Sequence, residues 1–267
     1  MSKPAALFSQ SSIEIDGFPI LYREAGQGDA LVCLQNGELR LSRAHELMAQ
    51  RRHFIAFETP GFSRSPTEAT APKDLAHTIH AAISKIGIDH FSIMANSFAD
   101  KLVLWMAIAE PQRVQAVVLL APAAVRPAER PAVGSNPEAR AAMHPAANST
   151  RLQRDAAPAP FPPELAEKQE APALDLGEPD RDDEFEVSLS KLETPVLALI
   201  GTHDPVISSA TVKIYREKLR NFHLVMVYDA GAAMDAERPE AVAALVDDFL
   251  TRGGSFLVQN KSGIIYP

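Results

Sequence analysis

Short apolar runs recur along the chain at intervals that leave room for a helix between them. They are Leu31–Leu34, Phe54–Phe57, Phe91–Met94, Val117–Leu120, Val196–Ile200 and Leu224–Val227. Runs this short and this continuously apolar predict strands covered on both faces. Between them the period changes. Leu75, Ile79, Ala82, Ile83 and Ile86 recur at helical spacing, as do Val242, Leu245, Val246, Phe249 and Leu250. Pro239 precedes the second set, where a first helical position is expected. Alternation of strand and helix predicts an α/β fold with a mostly parallel central sheet flanked by helices. Residues 12–24 instead read as two antiparallel strands turning near Asp16-Gly17.

One stretch departs from this rhythm. Ten of the 21 prolines fall between Pro127 and Pro179. The expected organisation is therefore a core of residues 1–122 and 191–252, a proline-rich lid inserted at 123–190, and a tail at 253–267. A long insertion in an α/β chain is commonly a lid or functional loop, and a mobile surface excursion is the plain rival. In the tail, Phe256–Val258 and Ile264–Tyr266 flank Asn260–Gly263 and read as a small hairpin.

Composition narrows the function classes. Apolar residues make up 46% and charged residues 22%, an ordinary globular balance. A net charge of −8 argues against a nucleic-acid partner. The single cysteine, Cys33, excludes an internal disulfide and suits a reducing compartment. No apolar run approaches the length of a membrane span, and the N-terminus lacks the apolar core of a signal peptide. A cytoplasmic protein with no membrane partner is expected. No His/Cys cluster has metal-ligand spacing and no glycine-rich phosphate loop is present, so neither metal nor cofactor is expected. Self-association into a homo-oligomer stays open.

Ser97 stands in Ala95-Asn96-Ser97-Phe98-Ala99, after a strand and before a helix. A nucleophile elbow has this setting, because the sharp turn lifts the hydroxyl off the sheet and small residues flank it. A serine opening a helix is also an ordinary N-cap. Other segments add context. Ile15–Gly26 is similar to an opening hairpin, and Phe57-Glu58-Thr59-Pro60-Gly61-Phe62-Ser63-Arg64-Ser65 to an Asp-x-Pro-Gly-x-Gly-x-Ser segment, with Glu58 and Ser63 as departures. Glu110–Val114, Ile200–Val206 and Asp229–Glu240 complete the series. In this order, over residues 12–252, the chain resembles the α/β-hydrolase superfamily, in its bacterial, lid-containing, esterase-like branch.

The resemblance implies roles by position. Ser97 takes the nucleophile position and Asp204 the acid position; the plain rival for Asp204 is a turn residue before Pro205. The backbone N–H groups of Gly37 and Phe98 take the oxyanion positions. Asn36-Gly37 also reads simply as a tight turn. The histidine position holds Ala232, which has no proton acceptor, so the family route leaves Ser97 without a base. Gln35 and Asn36 replace the usual His-Gly, and Asp100 replaces a small residue. These three are expected to line the site, with Asp100 opposing negative charge at an oxyanion. Of the other histidines, His203 is adjacent to Asp204 and His144 lies in the lid, but neither is well placed as a substitute base. His77 and His80 are expected at the surface, and His223 at a strand start on the sheet edge.

Three readings follow. The chain is a degenerate hydrolase that binds a small apolar or acyl molecule under the lid. Alternatively it is an active hydrolase, or a cofactor-free enzyme, with a relocated base. Or a histidine at position 232 has been exchanged for alanine, which leaves Gln35, Ala95, Ala99 and Asp100 without explanation. Whether the protein turns over its small-molecule partner is not decided by the residues alone.

Overall fold

The computed structural model describes residues 8–35, 39–60, 71–96, 99–125, 127, 182–204, 207–255 and 265–266. Among them the strands are β1 (Ser9–Ile15), β2 (Phe18–Ala25), β3 (Ala30–Gln35), β4 (His53–Glu58), β5 (Phe91–Asn96), β6 (Val114–Leu120), β7 (Val196–Gly201), β8 (Phe222–Val227) and β9 (Ile265–Tyr266). They form one sheet in the order β1-β2-β4-β3-β5-β6-β7-β8-β9. β1 pairs antiparallel with β2 and β2 antiparallel with β4; every later pairing is parallel. All six apolar runs are parallel strands. The expected hairpin is β1–β2, and Asp16 and Gly17 both take positive φ (51° and 83°) at its two-residue turn, the geometry that matches strand twist.

The helices are α1 (Arg43–Ala49), α2 (Pro72–Lys85), α3 (Ala99–Ala109), α4 (Asp183–Leu189), α5 (Ser209–Lys218), α6 (Met234–Glu237) and α7 (Pro239–Arg252). Pro72 and Pro239 open their helices, where a missing N–H costs nothing. One face of the sheet packs on α2, α3, α4 and α5, through Ile79, Ile83, Val103, Leu104, Phe185 and Tyr215. The other packs on α1, α6 and α7, through Ala44, Met48, Met234, Val246 and Phe249.

The order β4-β3-β5 sets the site. From β3 the chain passes through α1 to β4 on one side, then through α2 to β5 on the other. The direction of winding reverses at β3, and ligands of open α/β sheets bind at the carboxyl ends of strands at such a point. Gln35 ends β3 and Asn96 ends β5. Positions 36–37 and 97–98 come next in the chain.

One expectation needs correction. His80 is buried, and its Nε2 pairs with the Met106 carbonyl oxygen at 3.0 Å. The apolar stripe of α2 runs through Ala76, Ile79 and Ile83, and the packed α3 covers position 80 as well. His77 is exposed, as expected. In the tail, Ile265 and Tyr266 pair in parallel with Met226 and Val227 of β8, so this pair extends the main sheet. The Phe256–Val258 half of the expected hairpin lies outside the described residues, as does the expected lid at 126 and 128–181.

Candidate active site

The loop carrying Asp204 and the loop carrying Ala232 are built against each other. Thr202 N–H donates to the Val227 carbonyl (3.0 Å), His203 N–H to the Ala230 carbonyl (2.9 Å), and Asp229 N–H to Thr202 Oγ1 (3.0 Å). Contact at Gly201 is close enough that a Cβ there would lie 2.2 Å from the Ala230 oxygen. Glycine is therefore required by space alone, and the two loops are in direct backbone contact there. Asp204 is half-buried, and its Oδ1 accepts from Ile207 N–H at 3.1 Å. Ala232 is half-buried and packs on the apolar cluster beneath α6 and α7.

Glu237, which sequence reasoning did not single out, holds the loop that carries Ala232. Its carboxylate accepts from Gly231 N–H and so pins the residue before Ala232. Burial raises its pKa, helped by the charges of Asp235, Asp204 and Asp229, which outweigh the lowering by the Gly231 bond. An acid five residues beyond a loop position carries no periodic signal, so spacing alone could not find it. His45 is buried on α1, its Nδ1 accepts from Ser42 N–H (2.9 Å), and its Nε2 lies 4.0 Å from Asp235. Burial holds its pKa below the ordinary value against the pull of Asp235, which favours the neutral ring. His203 is exposed and lies 3.9 Å from Asp229.

Gln35 and Asp100, both expected to line the site, have their side-chain polar groups hydrogen-bonded within the fold. The Gln35 amide closes the loop that follows β3: its Nε2 donates to the Arg40 carbonyl (2.7 Å) and its Oε1 accepts from Arg40 N–H (2.8 Å). Asp100 is fully buried. Its Oδ2 accepts from Ala123 N–H (2.6 Å), Ala124 N–H (2.8 Å) and the Tyr215 hydroxyl (3.1 Å). Burial pushes its carboxyl up to about 7, against the lowering by those donors. The same burial, with Asp100 beside it, raises the Tyr215 phenol well above its usual range. Ala121 makes this geometry accessible. Its φ of 48° ends β6 in a left-handed turn, after which the next amides meet the carboxylate. That conformation costs an L-residue roughly 1 kcal/mol, which the buried, charge-accepting hydrogen bonds offset. Asn36, Gly37, Ser97, Phe98 and His144 lie outside the described residues. Among the described residues no group of three or more His, Cys, Asp or Glu side chains could hold a metal ion.

The model of the α/β-hydrolase fold family matches residues 41–171, and that of a TAP-like protein family matches residues 177–255. The chain belongs to the α/β-hydrolase superfamily. The structure is similar to that of a serine hydrolase involved in carbazole degradation, with a TM-score of 0.72, 18% identity, and coverage of 92% of this chain and 99% of that one. It is also similar to 2-hydroxy-6-oxo-6-phenylhexa-2,4-dienoate hydrolase from a Rhodococcus strain, with a TM-score of 0.71, 17% identity, and coverage of 92% and 99%. A third similar structure is Est816, an N-acyl homoserine lactone degrading enzyme, with a TM-score of 0.67, 21% identity, and coverage of 90% and 100%. At these identities the likeness to the solved structures is one of fold. Among curated proteins none matches the chain significantly.

Proposed function

We propose that this α/β-hydrolase is catalytically degenerate at Ser97 and binds a small apolar or acyl molecule at the carboxyl ends of β3 and β5, beneath the 123–190 insertion. The observation that carries this reading is the direct contact of the Asp204 and Ala232 loops. The loops carrying Asp204 and Ala232 pack against each other, and by family position a methyl group takes the place of the imidazole at Ala232, which supports a site with no base. A serine hydroxyl without a base is a weak nucleophile. Members of such a unit act together, so loss of one removes most of the rate. In this reading the Gly37 and Phe98 amides and Asn36 orient the ligand, and Asp204 remains as a polar residue of its loop.

Turnover of short-chain nitrophenyl esters and labelling by a fluorophosphonate test the reading. Ester turnover is expected to be very low, with Ser97→Ala lowering it by less than about tenfold. Acyl and fatty-acid compounds are expected to raise the melting temperature without being consumed. Rapid stoichiometric labelling of Ser97 would overturn the degenerate reading.

A further inference from the structure

The departure at position 100 has a structural use that catalysis does not explain. Asp100 and Lys101 are neighbours in the first turn of α3, and side chains one residue apart on a helix diverge by about 100°. Asp100 turns to the segment leaving β6, where it takes the Ala123 and Ala124 amides. Lys101 turns to the segment entering α4, where its Nζ meets Asp182 Oδ2 at 2.6 Å. Asp182 caps α4 through its other oxygen, which accepts from Phe185 N–H at 2.9 Å. The Lys101 ammonium lies over the Phe185 ring at 5.4 Å, and Phe185 packs on Trp105 of α3 at 5.4 Å.

Helix α5 makes the same pair of contacts from the other side. Tyr215 donates to Asp100, and its oxygen also lies 3.2 Å from Ala124 N. Lys218, three residues on and so on the same helix face, reaches the buried Glu186 of α4 at 3.5 Å. Two helices thus hold both ends of the 126–181 stretch: α3 through Asp100 and Lys101, and α5 through Tyr215 and Lys218.

We propose that Asp100, Lys101, Tyr215 and Lys218 form a closed brace that couples the two ends of residues 126–181 to each other and to the first turn of α3, so that release of one end loosens the other. This holds whether or not Ser97 performs chemistry. It adds to the binding reading a route by which a ligand that displaces either end is felt at the head of α3.

Residue-resolved amide hydrogen exchange on the full chain tests the brace. Lys101→Met removes the exit contact and touches neither the Ala123 nor the Ala124 amide. It is expected to speed exchange at both amides by about tenfold or more, as local opening is transmitted. Asp182→Asn keeps an oxygen to cap α4 while removing the charge that Lys101 meets, and is expected to act in the same direction. Lys101→Arg is expected to restore protection. An increase confined to residues 182–189 in both Lys101→Met and Asp182→Asn would overturn the proposal, because the two ends would then be held independently.

Discussion

A buried carboxylate whose pKa is raised binds a proton on folding, and this gives Asp100 a signature of its own. In the unfolded chain it titrates near 3.8 and in the fold near about 7. Its folded pKa is raised, so the fold takes up a proton in this window. The contribution is therefore present in full below the unfolded value and is lost as pH rises through the folded one. Asp100→Asn, which retains an acceptor oxygen for the Ala123 and Ala124 amides, is expected to flatten that slope. Its advantage over the parent should grow from pH 4 to pH 8, reaching on the order of 4 kcal/mol at most. Urea unfolding across that range measures it, and parallel curves for the two proteins would refute the assignment. Repair of the site follows different logic. Ala232→His restores an imidazole beside Asp204 but leaves the altered Gln35-Asn36 segment, so only weak ester turnover is expected. Adding Asp100→Gly is expected to lower the melting temperature without raising turnover, because it strips two buried amides and a phenol of their acceptor. A gain in turnover from the double change would place the carboxylate within reach of the oxyanion after all.

Elements were readable from sequence where one local rule governed them. Six apolar runs became parallel strands, Asp16-Gly17 made its hairpin turn, and Pro239 opened α7, each from a period or a backbone preference. Helix α1 was not foreseen, because its start depends on Ser42 being capped by the ring of His45, three residues on, in the manner of a capping box with an unusual partner. For the site, sequence supplied chain positions only: Ser97, Asp204 and Ala232 were assigned by family order, and Ser97 lies outside the described residues. The side-chain partners of Gln35, Asp100 and Glu237 were not readable, since each bridges segments whose approach only the fold determines. Gly201 belongs to this tertiary class as well. Gly201→Ala would place a Cβ against the Ala230 oxygen at 2.2 Å, where the nearest atoms are backbone atoms of Ala230 and Gly231 and not a side chain free to yield. It is expected to cost at least about 2 kcal/mol in unfolding free energy, and a loss under about 0.5 kcal/mol would show that the two loops part easily.

For the whole molecule, the parallel sheet has two ends that are finished differently. At one end the β1–β2 ribbon covers β4, and the outward positions of β1 are mostly polar and exposed. At the other end β8 would terminate the sheet with Met226 and Val227 offering their backbone groups sideways, were it not for Ile265 and Tyr266. An unpaired, apolar sheet edge is a template for another chain, and proteins commonly blunt it. Ile265 and Tyr266 cover that part of the edge. A chain truncated after Ser255 is expected to keep its fold and melting profile yet to associate in a concentration-dependent way, visible by light scattering, and a lysine at position 226 should reverse this.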